Sequence, residues 1–234
     1  PTWVDPPSGA LKAQVKELKE ADAVVTAGSI QPFKAAWELR GMENLMCDFY
    51  TAPEIARFLY EKIYAEVTAR CRAVAAAGAD IVTIYGDLAM QDRLLIAPDT
   101  WREFDKPHLA RLVAAVKEAN PAARFFMHSD GDMSAIIPDL IEVGVDVLNP
   151  IQPECMDPAE TKRRWGDRLV LHGCVSIQRT LPFGTPDDVR AEVRHLLETC
   201  APGGGFVIGP TNAIMKDVPI DNVLALYEAI QTAG

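Results

Sequence analysis

Residues 77–87 read A-G-A-D-I-V-T-I-Y-G-D, and the same joint returns at 143–150 as V-G-V-D-V-L-N-P. In both, a glycine suited to a left-handed helix cap is followed by an acidic residue, an unbroken apolar run and a polar end. An apolar run without polar alternation is a strand covered on both faces, which belongs to a parallel sheet flanked by helices.

Outward from these joints the rhythm repeats. "AVVTAG" at 23–28, "RFFMHSD" at 124–130, "RLVLHGC" at 168–174 and "GFVIGP" at 205–210 read as further buried strands. Between them lie helical patterns at 10–21, after Pro53, from Pro98 to Ala119, and at 134–142, 158–165, 186–199 and 219–231. In the helix after Pro53, Ile55, Phe58, Leu59, Ile63, Val67, Cys71 and Val74 recur at three- and four-residue steps, predicting one buried face. The count is about six strands, whereas a (β/α)8 barrel has eight and a doubly wound sheet five or six, so counting leaves the two open. The chain reads as one domain over 1–234, with 1–22 a peripheral opening segment.

Composition narrows the partners. The chain has 23 Lys and Arg against 33 Asp and Glu, a formal charge of −10, which disfavours nucleic acid and anionic membranes. No apolar run approaches the ~20 residues of a membrane span. Five scattered cysteines without a C-x-x-C pair predict neither a disulfide framework nor a zinc ribbon, so a reducing cytoplasm is expected.

The strand ends carry the chemistry. Tyr85-Gly86-Asp87, His128-Ser129-Asp130, Asn149-Pro150-Ile151-Gln152, His172-Gly173-Cys174 and Thr211-Asn212 each follow an apolar strand. Ligands of parallel α/β proteins sit at the carboxyl ends of strands, and five polar ends converge better in a ring than in an open sheet. In an extended chain His128 and Asp130 project to one face. The pair could ligate a metal, act as acid and base, or use the carboxylate only to orient the imidazole. His108 and His195, on helices among charged neighbours, read as surface or structural residues.

"GADIVTIYGDLAMQDRLLIAPDTWREFDKPHL", "HSDGDMSAIIPDLIEVGVDVLNPIQP", "LVLHGCVSIQRTLPFGTPDDVRAEV" and "GGGFVIGPTNAIMKDVPIDNVLALYEAI" together resemble the uroporphyrinogen decarboxylase superfamily, which includes the zinc-dependent methylcobamide:thiol methyltransferases. The resemblance implies a (β/α)8 TIM-type barrel, incomplete on its N-terminal side, with the chain matching the later two thirds of a usual member. Exposed apolar barrel edges are then expected unless another chain covers them. The methyltransferase branch carries His-x-Cys at the third of these strands and a further Cys after the last. His128 matches the histidine, while Asp130 and the region of Gly209 and Pro210 stand where thiols belong.

The resemblance thus implies a methyltransferase-type enzyme with a small-molecule substrate, zinc at His128 and Asp130, and a corrinoid presented by a partner protein. His128, Asp130, Asp87 and His172 are the expected catalytic group, with Tyr85, Gln91, Asn149, Gln152 and Cys174 lining the substrate. A homo-oligomer is also expected. The alternatives are a porphyrinogen decarboxylase and a non-catalytic, ligand-binding barrel. The arginines and aspartate that decarboxylases draw from their opening segment have no counterpart here, and an acidic chain suits a polycarboxylated substrate poorly.

Overall fold

The computed structural model describes residues 8–232. In chain order these form α1 (Ser8–Glu20), β1 (Thr26–Ile30), α2 (Pro32–Arg40), α3 (Met42–Thr51), α4 (Pro53–Ala76), β2 (Ile81–Tyr85), α5 (Pro98–Phe104), α6 (Lys106–Ala119) and β3 (Arg124–His128). There follow α7 (Ile137–Val143), β4 (Val147–Asn149), α8 (Pro158–Trp165), β5 (Val170–Val175), α9 (Thr180–Phe183), α10 (Pro186–Cys200), β6 (Phe206–Pro210) and α11 (Ile220–Thr232).

All six strands are parallel and lie side by side in sequence order, β1 through β6. A doubly wound sheet reverses direction at a switch point; this one never does. It also curls. In a flat sheet β3 and β6 would lie roughly 14 Å apart, three strand spacings. Yet Asn212, just past β6, donates to Asp130, just past β3, at 2.7 Å. The sheet is therefore an arc of a β/α barrel, open between β1 and β6. Val24 beside β1 and Val207 in β6 are 71% and 46% exposed, so both free edges carry apolar surface.

Alternation along the strands divides the layers. Val82, Ile84, Phe125, Met127, Leu148 and Leu171 point outward and are completely covered by helices. Thr83, Tyr85, Phe126, His128, Asn149 and His172 take the concave face. Gly28 is where β1 closes on β2: a Cβ there would stand 1.8 Å from the Thr83 carbonyl oxygen, so no other residue fits.

Several sequence expectations shift. β1 begins at Thr26 rather than residue 23, because Val25 is engaged with the Asp80 carboxylate. The helix expected from Pro98 to Ala119 is two helices that meet at Asp105, since Pro107 in the first turn of α6 has no N–H for a continuous ladder. In α4 the stripe holds from Ile63 onward, but Ile55 and Phe58 are exposed and Ala56, Tyr60 and Tyr64 are buried instead. The helix turns its tyrosines toward Asp105, where one hydroxyl finds a partner. Residues 32–51, without a reading from sequence, form two helices separated by Gly41 at φ 82°. Helix α1 is largely exposed and touches the rest of the chain through the buried Val15 and through Lys19, which pairs with Asp80 at 2.8 Å. Residues 1–7 of that expected segment lie outside the described ones. All five cysteines are free thiols.

Candidate active site

Strand β3 ends at His128, and its ladder runs one residue further through Ser129 N–H to the Asn149 carbonyl. Ser129 points away and is fully buried; its hydroxyl accepts from Leu88 N–H and donates to the Asp130 carbonyl. That brace returns Asp130 to the side of His128. Gly131 then turns the chain at φ 91°, with Met90 O only 2.4 Å from where a Cβ would stand. Its N–H donates to the Gln152 side chain at 3.1 Å.

Asp87, beyond β2, arrives beside this pair and accepts from Asp130 N–H at 3.0 Å. The His128 Nε2 atom lies 3.8 Å from Asp87 Oδ1 and 3.8 Å from Asp130 Oδ1. On the opposite side of the ring, Nδ1 is 2.6 Å from Asn149 Oδ1, and Asn149 Nδ2 is 2.8 Å from His172 Nδ1. Tyr85 and Phe126 complete an aromatic floor, with ring centroids 5.3 Å from His128 and His172 respectively.

Tyr85, Asp87, His128, Asp130, Asn149 and His172 thus meet on the concave face. Gln91 does not join their hydrogen bonds: it donates to Gln178 and accepts from the Cys155 thiol at the rim. Gln152 is buried and occupied in bracing the Gly131 turn. Cys174, expected to line the substrate, lies in the core. Period two would put it on the face of His172, but Gly173 and Cys174 both have positive φ, 95° and 81°, and the alternation breaks. Its thiol instead sits fully buried near Cys200 and Glu192, where burial pushes its pKa upward. His108 is stacked on Tyr64 at 4.9 Å, and His195 is exposed. The residue missing from the expected set is Asn212. It was visible only as one more polar strand end, and the curl of the sheet brings it to Asp130.

The charge balance is one-sided. Among the described residues, no Lys or Arg hydrogen-bonds or ion-pairs with Asp87, His128, Asp130, Asn149 or His172. Burial raises the Asp130 carboxyl above its ordinary range, and Asp87 adds to that; His128 and Asn212 pull it back. Asp130 Oδ1 is buried and has no hydrogen-bond partner among the described residues. Burial, and then the neighbouring His128, lowers the pKa of His172.

Asp87, His128 and Asp130 each offer one ligand atom, all within 4.8 Å of one another. Zinc bonds of about 2.0–2.2 Å to nitrogen and oxygen set tetrahedral ligand atoms roughly 3.3–3.5 Å apart, slightly inside the spacing seen here. A neutral imidazole with two carboxylates brings a charge of −2 and an orphaned oxygen, so the donors fit a divalent cation. They form a harder set than one with thiolates.

The "Uroporphyrinogen decarboxylase (URO-D)" family model matches residues 8–233. The chain belongs to this family. Among curated members, it is 28% identical over 215 residues to "Methylcobamide:CoM methyltransferase MtaA" of Methanosarcina barkeri, covering 92% of this chain and 60% of that protein. It is also 28% identical to "Uroporphyrinogen decarboxylase" of Chlorobaculum parvum, covering 95% of this chain and 63% of that one. The solved "methyltransferase from Methanosarcina mazei" superposes with a TM-score of 0.77 at 24% identity, over 96% of this chain and 64% of that structure. The chain therefore spans about three fifths of the length of the relatives it matches. The family's members named here are enzymes of two kinds, and the two curated relatives are equally identical to this chain.

Proposed function

We propose that this chain forms the metal-binding half of a methyltransferase-type active site. The small-molecule substrate would be held on the concave face, and a corrinoid methyl carrier presented by a partner protein at the open mouth. The observation that carries the reading is the Asp87, His128 and Asp130 cluster: two carboxylates and an imidazole converge, and among the described residues no Lys or Arg hydrogen-bonds or ion-pairs with them.

When bound there, a divalent cation supplies Lewis acidity, lowering the pKa of a substrate nucleophile so that it is ionised near neutral pH. The residues of the chain do the rest. Asp87 and Asp130 hold the charge, Asn212 anchors Asp130 Oδ2, and the Ser129 and Gly131 turn keeps the carboxylate aimed inward. Tyr85 and Phe126, in ring contact, supply the apolar side of the concave face beside the two imidazoles. The same acidic cluster works against a polycarboxylated porphyrinogen, which would need cations where this site places anions.

Metal analysis of the purified natural protein beside its His128→Ala variant tests the site. Roughly stoichiometric metal in the first and loss of most of it in the second is expected; equal content in both ends the metal claim. Loss of the methyl group from methylcobalamin in the presence of a thiol or hydroxyl acceptor tests the reaction. Carbon dioxide release from uroporphyrinogen without any such demethylation assigns the site to decarboxylation instead. Binding of cobalamin with neither reaction would mark a non-catalytic barrel.

A further inference from the structure

The Asn149 side chain sits between two imidazoles, 2.6 Å from His128 Nδ1 through its oxygen and 2.8 Å from His172 Nδ1 through its nitrogen. An amide oxygen only accepts and an amide nitrogen only donates. In this orientation of the amide, His128 carries its proton on Nδ1 to donate to Asn149 and His172 keeps Nδ1 bare to accept; the amide turned over would reverse both. The far side of His128 then presents a lone pair on Nε2, and that atom faces Asp87 and Asp130 at 3.8 Å each. This distance is too long for a hydrogen bond from an Nε2–H to either oxygen. It suits three ligand atoms around one cation.

We propose that Asn149 and His172 are positioning residues: together they lock His128 as the Nδ1–H tautomer before any cation arrives, keeping its Nε2 lone pair turned toward the two carboxylates. His172 acts at one remove, by holding the amide in the orientation whose oxygen meets His128. Burial of Asn149, which is 7% exposed, leaves the two imidazoles as the partners of its side-chain amide. A metal-bound histidine generally has its second nitrogen fixed by such an outer partner, and losing that partner weakens metal binding by roughly 10- to 100-fold. An amide in that place, itself held by a second histidine, adds no further negative charge to a site that already has two carboxylates.

The purpose of this relay rests on the metal reading above, but its test does not. Nitrogen-15 NMR of the natural protein with labelled histidine, metal-free and at about pH 9 where imidazoles are neutral, reports which ring nitrogen holds the proton. His128 is expected to show its proton on Nδ1 and a bare Nε2. Asn149→Leu should move the proton to Nε2 and weaken zinc binding 10- to 100-fold, measured by competition with a chromophoric chelator. Asn149→Asp keeps an acceptor of the same shape and should retain the Nδ1 proton. His172→Phe frees the amide to turn and should give a mixture of tautomers, so the test survives if the leucine variant fails to fold. A proton on Nε2 in the parent protein overturns the proposal, as does an unchanged tautomer in both Asn149→Leu and His172→Phe. A parent with the proton on Nδ1 but no affinity for zinc, manganese or iron(II) refutes the metal reading and leaves the relay standing.

Discussion

Asp105 offers the sharpest quantitative expectation. It lies at the junction of α5 and α6, completely buried, accepting from the Tyr64 hydroxyl at 2.8 Å through Oδ1. Its Oδ2 and the Tyr60 hydroxyl are buried and have no hydrogen-bond partners among the described residues. Burial pushes its pKa up to about 7 from the ordinary 3.8, with the tyrosines pulling the other way. The folded protein thus holds a proton that the unfolded chain releases near pH 4. Below that both states are protonated and the group contributes no pH dependence. Between about pH 4 and pH 7 the unfolded state binds fewer protons, so stability falls as pH rises, and above pH 7 the loss is complete. A shift of about 3 units at 1.36 kcal/mol each gives a penalty on the order of 4 kcal/mol. Asp105→Asn keeps the acceptor for Tyr64, supplies a donor for the orphaned Tyr60 oxygen and has no charge to bury. Urea unfolding followed by far-UV circular dichroism should show the two proteins nearly equal at pH 4. At pH 8 the variant should be more stable by several kcal/mol, a rise in Tm of about 10 °C. Equal pH slopes for the two proteins, or a variant less stable at pH 8, would refute the reasoning.

Three other expectations can be checked with the same preparations. Gly131→Ala should lower stability by about 2 kcal/mol and weaken metal binding together, because its Cβ collides with Met90 O at a backbone angle that only glycine tolerates well; metal affinity unchanged by isothermal calorimetry would separate the turn from the site. Cys174→Ala should cost roughly 1 kcal/mol for the buried sulfur and leave metal content as it was, since that thiol faces the core; a lost metal would put Cys174 back at the site. Addition of zinc at about 100 times its dissociation constant should stabilise the metal-free protein by about 2.7 kcal/mol in a thermal shift assay, and Asp130→Asn should abolish most of that gain.

The strands after residue 77 were legible because each is an apolar run between a glycine-capped helix and a polar end, and the structure places them within a few residues of the expected bounds. The His128 and Asp130 pair was legible for the same reason, since two residues apart on an extended chain share a face. Asp87, Asn149 and His172 were legible as polar strand ends. Their separate duties were not, because the amide that meets both imidazoles comes from a neighbouring strand and its orientation depends on both partners. Cys174 illustrates the opposite case. Its spacing from His172 is correct for a shared face, and only the left-handed backbone at Gly173 and Cys174 sends the thiol elsewhere.

Local pattern therefore determined the class of element, the parallel sheet, the family and the end of the sheet where polar groups gather, since each depends on residues close together in the chain. Curvature was left to the tertiary structure. Whether six parallel strands lie flat or curl depends on how helices pack over their outer face, an outcome spread over dozens of side chains. That curl alone brings Asn212 across to Asp130, and it turns a row of polar strand ends into one site.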